Sequence, residues 1–142
     1  MRISEIMSSR VVSIGQDEPV SAAARLLKRT NLGALPVCDA KRRLRGIVTD
    51  RDIVTRCVAP GSDPEQTPVR EIMSRGVVTC GPDETPEAAA KRMGADQVRR
   101  LPVLDEGRLV GIVTLCDLSR SGRSDMEAAA ALAEITSNVH RK

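Results

Sequence analysis

The chain has no phenylalanine, tyrosine or tryptophan in its 142 residues. Its core must therefore be aliphatic. The lack also removes the platforms on which single-stranded nucleic acids stack, and the rings of a cation–π cage. Histidine occurs once, at His140 in the tail, so a Ser-His or Cys-His pair has no base in the body of the chain. The four cysteines (Cys38, Cys57, Cys80 and Cys116) include no CxxC pair, and no metal site is expected. They read as small apolar residues kept reduced. Cys116 falls at an expected helix start, which can lower a thiol pKa, but one cysteine without a base is thin support for an enzyme. The longest apolar run, 128–133, is too short to span a bilayer, and residues 1–10 hold no apolar signal segment. No membrane partner and a cytoplasmic location are expected.

Charge of one sign is also missing. The chain carries 22 basic and 19 acidic residues, a net charge of +3, too balanced to announce a polyanion binder. No nucleic-acid partner is expected. Only four of the basic residues are lysine. Arginine favours forked contacts to carboxylate or phosphate, although codon bias in a GC-rich genome explains the excess equally well. At 41% hydrophobic and 29% charged, the composition excludes disorder of the whole chain.

What is present is one pattern written twice. Glu5-Ile6-Met7-Ser8 recurs as Glu71-Ile72-Met73-Ser74, and Val11-Val12-Ser13 as Val77-Val78-Thr79. Leu35-Pro36-Val37 recurs as Leu101-Pro102-Val103, all at an offset of 66. After a one-residue deletion the offset is 65, and Gly46-Ile47-Val48-Thr49 matches Gly111-Ile112-Val113-Thr114. Asp52 then matches Asp117. A period this long implies a duplicated domain, not a solenoid.

Each copy reads β-α-β-β-α. Val11-Val12 and Val77-Val78 suggest brief strands. Asp17-Glu18-Pro19 and Asp83-Glu84-Thr85-Pro86 announce helix starts. Val20, Ala24 and Leu27 share a helical face, matched by Ala90 and Met93. Strands follow over 34–38 and 44–48, and again over 100–104 and 109–113. Pro36 and Pro102 lie inside them, which predicts edge positions. A second helix begins near Asp50 and near Leu115. The domains expected are repeat 1 over 1–59, a Pro/Gly linker over 60–67, repeat 2 over 68–121 and a tail over 122–142. Ser124 to Glu127 form a capping-box pattern, and Leu132, Ile135 and Val139 an apolar stripe, so the tail reads as a terminal helix. A repeat of roughly 60 residues is marginal alone, so the halves should pack together. The fold class is α/β of α+β type, with pseudo-twofold symmetry.

The sharpest motif is Gly-Ile-Val-Thr-x-x-Asp, at 46–52 and 111–117. Two readings fit it. Thr-x-x-Asp is a variant capping box, closing a helix start with its own side chains. A strand end followed by a helix N-terminus with free N–H groups is also an anion site, where a carboxylate can accept from a ribose diol.

The repeated β-α-β-β-α order, the Leu-Pro-Val strand and this turn resemble a tandem pair of CBS domains, the Bateman module, over residues 1–121. They are similar to small stand-alone bacterial CBS pairs. The resemblance implies adenosine ligands (AMP, ADP, ATP, NAD or S-adenosylmethionine) in clefts between the repeats. It implies that Asp52 and Asp117 hold ribose hydroxyls, that Thr49 and Thr114 lie near ribose or phosphate, and that Ile47 and Ile112 line the adenine slot. Val12-Ser13 and Val78-Thr79 would offer backbone groups and aliphatic walls to the base. The family often has a basic residue before Leu-Pro-Val, which here is Arg99-Arg100. Repeat 1 has Gly33 and Ala34 there. The Thr114/Asp117 cleft is therefore expected to prefer a phosphorylated ligand, and the Thr49/Asp52 cleft an uncharged adenosyl group or none.

The reading favoured is a regulatory module, not an enzyme, probing adenine nucleotide and reporting to an unknown regulated protein, with a homodimer expected. The alternative is a ligand-free interaction protein whose Thr-x-x-Asp turns are only caps.

Overall fold

The computed structural model describes residues 1–120 and 132–135. The elements run β1 (Ile14–Gly15), α1 (Val20–Thr30), β2 (Ala34–Cys38), β3 (Leu44–Thr49) and α2 (Asp50–Ile53). They continue with α3 (Pro86–Asp96), β4 (Arg100–Asp105), β5 (Arg108–Thr114) and α4 (Leu115–Arg120). A five-residue π turn, Val54–Val58, prolongs α2, and single 3-10 turns lie at Ile3–Glu5 and Val69–Glu71. The tail helix expected over 122–142 lies outside the described residues except for 132–135. That stretch is helical, with Ile135 buried and Leu132 exposed.

The compact units do not coincide with the sequence repeats. A central unit holds Val12–Val77, and a split unit joins Met1–Val11 to the described residues from Val78 onward. The opening segment of each repeat thus packs with the other copy. Ile3 is fully buried in the split unit with Met93, Leu101, Val103 and Leu118. Its counterpart Val69 is fully buried in the central unit, with Val20, Leu35, Val37 and Val48. Both cores are aliphatic, as an aromatic-free composition requires.

The expected linker is no free tether. Pro19 occupies the N-cap of α1 and has no side-chain acceptor to offer. The linker supplies the acceptors instead: the Val20 N–H donates to the Thr67 carbonyl (2.8 Å) and the Ser21 N–H to that of Pro64 (3.0 Å). Helix α3 needs no such strap, because Thr85 accepts from the Ala88 N–H and Pro86 takes the first turn.

The central sheet has the order β1-β2-β3, with β1 parallel and β3 antiparallel to β2. The short strands expected at Val11-Val12 and Val77-Val78 start three residues later. In the first copy this is β1. In the second it is a single parallel bridge, Cys80 with Val103. The Gln16 N–H extends the first ladder by donating to the Cys38 carbonyl (2.9 Å). Its counterpart is Pro82, which has no N–H to donate, so the second ladder stops at one residue.

Pro36 lies on the middle strand, against the edge expectation. It pairs with Ile47, whose N–H and C=O both bond to Ser74 on the far side. Pro36 is thus at a non-hydrogen-bonded pair, one residue before its neighbour β1 begins, and no ladder bond is lost. Ala24 also departs from expectation. It is exposed, and α1 buries Val20, Ala23 and Leu27, whereas the matching Ala90 and Met93 of α3 are fully buried. The offset changes from 66 to 65 at the hairpin: Glu106 and Gly107 make a two-residue turn with both φ positive where the first copy has a longer connection.

Candidate functional site

Both Gly-Ile-Val-Thr-x-x-Asp segments cross from a strand into a short helix. Along β3, Gly46 and Val48 face the core, so Ile47 and Thr49 share the opposite face. Ala34 and Pro36 of β2 stand directly across from Thr49 and Ile47. In the split unit Arg100 and Pro102 stand across from Thr114 and Ile112. The sheet therefore brings Ala34, Ile47 and Thr49 together in one unit, and Arg100, Ile112 and Thr114 in the other.

The glycine of each motif is dictated by close approach. A Cβ on Gly46 would lie 2.6 Å from the Ser74 carbonyl oxygen and 2.9 Å from Met73 Sδ. On Gly111 it would lie 2.5 Å from Met7 Sδ and 2.9 Å from the Ser8 carbonyl oxygen. Met7-Ser8 and Met73-Ser74 close the turns from the other side: Ser8 and Ile112 exchange backbone bonds at 2.9 Å, and Ser74 and Ile47 do so at 2.8 and 2.9 Å. The repeated Glu-Ile-Met-Ser was visible in the sequence, but its offset alone does not reveal that it serves the opposite copy. Gly46→Ala is expected to cost about 1–3 kcal/mol by overpacking against main chain. Gly33→Ala, with nothing within 4 Å, serves as its control. Urea denaturation checks both; equal midpoints for the two would refute the close-approach argument.

Both turns are reciprocal capping boxes. The Thr49 N–H donates to Asp52 Oδ2 and the Asp52 N–H to Thr49 Oγ1, both at 3.0 Å. The Thr114 N–H donates to Asp117 Oδ2 (2.8 Å) and the Asp117 N–H to Thr114 Oγ1 (3.2 Å). Asp52 and Asp117 are 8% and 9% exposed, so these bonds are shielded from water. Each second carboxylate oxygen meets an arginine. Arg56 Nε lies 3.7 Å from Asp52 Oδ1, and Arg120 Nη2 donates to Asp117 Oδ1.

The open helix N-terminus expected from sequence does not exist in the central unit. The Asp50 N–H donates to the Gly33 carbonyl, the Arg51 N–H to Asp50 Oδ1 and the Asp52 N–H to Thr49. In the split unit the Leu115 N–H donates to the Arg99 carbonyl (2.9 Å). None of these main-chain N–H groups is left for an anion, so side chains set the charge around each turn. There the two units differ. Arg99 and Arg100 are exposed beside Thr114, and neither is in an ion pair among the described residues. The central turn presents the extra carboxylate of Asp50 and no arginine at Gly33 or Ala34.

The remaining expected positions are spread out. Val12 is exposed. Ser13 lines a cavity of about 220 Å³ with Cys38, Asp39 and Arg42, at the end of β2 away from Thr49. Val78 packs against the split-unit core. The Thr79 carbonyl accepts from Arg92 Nη1 (2.7 Å), so this backbone group is already engaged. Arg92 also forks onto Glu84, and its guanidinium holds the Glu84 carboxyl below the usual range. Burial, helped by Glu84, pushes the Cys80 thiol up to about 11, and burial raises Cys38 as well. Both are thiols at neutral pH and poor nucleophiles.

A second cavity, of about 300 Å³, lies in the split unit, lined by Ile6, Met7, Ser8, Asp117 and Arg120. Ile6 to Ser8 and Arg120 were not among the residues expected from sequence.

The model of the CBS domain matches residues 3–59 and 69–123. CBS domain-containing protein YhcV of Bacillus subtilis is 40% identical over 139 residues, covering 97% of this chain and 98% of its own. A structure of hypoxic response protein I with two coordinated zinc ions matches with a TM-score of 0.76 at 37% identity, over 84% of this chain and 98% of that one. Among the described residues here, no group of three or more His, Cys, Asp or Glu is placed to hold a metal. The CBS domain pair of protein MJ0100, in complex with 5′-methylthioadenosine and S-adenosyl-L-methionine, matches with a TM-score of 0.70 at 30% identity, over 88% and 98%. No helix among the described residues is long and apolar enough to cross a membrane. Two matched copies, each with its strand-turn-helix motif in register, make this chain a member of the CBS-domain family, built as a tandem pair.

Proposed function

We propose that the chain is a regulatory module, not an enzyme, which takes an adenosine-containing ligand at the Thr114/Asp117 turn and passes its occupancy to a partner protein. One observation carries this reading. The Asp117 carboxylate, fixed by the Thr114 N–H, borders an open cavity, with two exposed arginines on the neighbouring strand end that are in no ion pair among the described residues. A carboxylate has about four lone-pair sites, and the cap and Arg120 use two of them. Acceptors remain for a ribose diol. Arg99 and Arg100 offer forked donors to phosphate, which favours AMP, ATP or NAD over the cationic S-adenosylmethionine. The adenosyl compounds in the MJ0100 structure support the ligand class. Ile112 supplies an aliphatic wall to the base, and Thr49, Asp52, Ile47 and Ala34 are the weaker counterpart. Val12, Ser13, Val78 and Thr79, which precede the first strand or bridge of each copy, belong to the same reading as contacts to the base. It includes a homodimer and a cytoplasmic location.

The ligand-free reading has its own support, because both Thr-x-x-Asp turns are closed capping boxes. Ultraviolet absorption separates the two. With no aromatic side chain, the protein has no band of its own near 260–280 nm. Gently purified protein is expected to show a 260 nm band that moves into the filtrate on denaturation and resists nuclease. A flat spectrum, together with no heat on titrating AMP, ATP, NAD and S-adenosylmethionine, would establish the ligand-free reading.

A further inference from the structure

The two units carry the same turn, and the space beside it differs. In the split unit the cavity is bounded by Ile6, Met7, Ser8, Asp117 and Arg120. By the repeat offsets, the counterparts of the first four in the central unit are Ile72, Met73, Ser74 and Asp52. Arg56 occupies the middle of that second set. Its Nη1 donates to the Ile72 carbonyl (3.1 Å), the Met73 carbonyl (3.4 Å) and Ser74 Oγ (3.3 Å). Its Nε lies 3.7 Å from Asp52 Oδ1. The residue at the matching position of the second repeat is Ser121, which has neither the length nor the donors to do this. Arg120 is no substitute. Among the described residues it reaches only Asp117, from one position earlier in the helix, and its side chain is 76% exposed against 49% for Arg56.

We infer that Arg56 is an intramolecular plug: its guanidinium takes up, in the central unit, the space that the described residues leave open beside Asp117, so the chain takes one adenosyl ligand and not two. The inference rests on the ligand class proposed above. Arginine suits the task because one rigid plane carries Nη1 to the Ile72, Met73 and Ser74 oxygens and holds Nε on the Asp52 side. It also neutralises Asp52 in place. An incoming sugar would have to displace at least four contacts at once, and would leave the Ile72 and Met73 carbonyls to find new donors. The plug is specific to one copy, so it turns a symmetric pair into a single-site module.

Calorimetric titration with 5′-methylthioadenosine tests the plug. This probe is uncharged and therefore indifferent to the different charges of the two turns. One site per chain is expected for the wild type. Two are expected for Arg56→Ser, which gives the central turn the residue its counterpart tolerates. Arg56→Lys keeps a positive charge near Asp52 and protects folding, but its single nitrogen cannot stand at the Nη1 and Nε positions together, so it loses either Asp52 or the Ile72–Ser74 oxygens; it too is expected to show two sites. Thermal melts verify that each variant is folded. A stoichiometry of one in the folded variants, or of two in the wild type, overturns the plug and leaves the proposed function standing. No binding to the wild type with one site in the variants supports the plug and overturns the Asp117 assignment. No binding to any of the three overturns both.

Discussion

Ile3→Ala is expected to lower the stability of the whole chain by about 2–5 kcal/mol, the cost of truncating a buried isoleucine where the surroundings close only partly over the void. Ile3 stands two residues from the start of the chain, a position where exposed and poorly tethered side chains are the rule. Here it is fully buried against Met93, Leu101 and Val103 of the other repeat. The turn that carries it is tied down by main chain: the Ile3 N–H donates to the Glu84 carbonyl and the Ser4 N–H to that of Pro82, both at 2.9 Å. Urea denaturation of the full chain measures the loss. Val12→Ala, at an exposed site, is the control and should stay within about 0.5 kcal/mol. A loss below about 1 kcal/mol for Ile3→Ala would mean that the opening segment adds little to the split unit.

Asp117→Asn is expected to weaken binding of AMP by about 1.5–3 kcal/mol, roughly 10- to 150-fold, while moving stability by less than about 1 kcal/mol. The asparagine amide oxygen can still accept from the Thr114 N–H, so the cap survives. What is lost is the charge, and with it the strength of hydrogen bonds from a ribose diol. Asp117→Ala differs in kind. It removes the acceptor as well and leaves the Thr114 N–H without its partner, so about 0.5–2 kcal/mol of stability should go with the binding. Titration and thermal melting on the two variants separate the roles. Unchanged affinity for Asp117→Asn, with destabilised Asp117→Ala, would reduce the carboxylate to a helix cap.

Much of this protein is written locally. The duplication, the β-α-β-β-α order, the strands read at 34–38 and 44–48 and the two capping boxes follow from short-range patterns: alternating apolar residues, Pro86 in a first turn, and Thr three residues before Asp. Those patterns act over a few residues, and the family resemblance rests on them. Other features were hidden because their cause lies far along the chain or in a single missing atom. Pro82 removes one N–H and shrinks a strand to a bridge. Pro36 escapes the edge because its pairing partner Ile47 spends its backbone groups on Ser74.

The sequence by itself determined that two aliphatic copies exist and that each ends a strand in Thr-x-x-Asp. Only the tertiary structure decided which copy each opening segment completes. An offset of 66 is identical whether Met7-Ser8 packs on Gly46 or on Gly111, because both glycines leave the same slot. The choice between them is made by burial of Ile3 and Val69 in the two cores, a contact between residues some 20 to 115 positions apart in sequence that no local pattern encodes. The same holds for Arg56. Nothing in Asp-x-x-x-Arg distinguishes a solvated helical ion pair from a guanidinium seated on the Ile72 and Met73 carbonyls, and only the fold brings those oxygens to it.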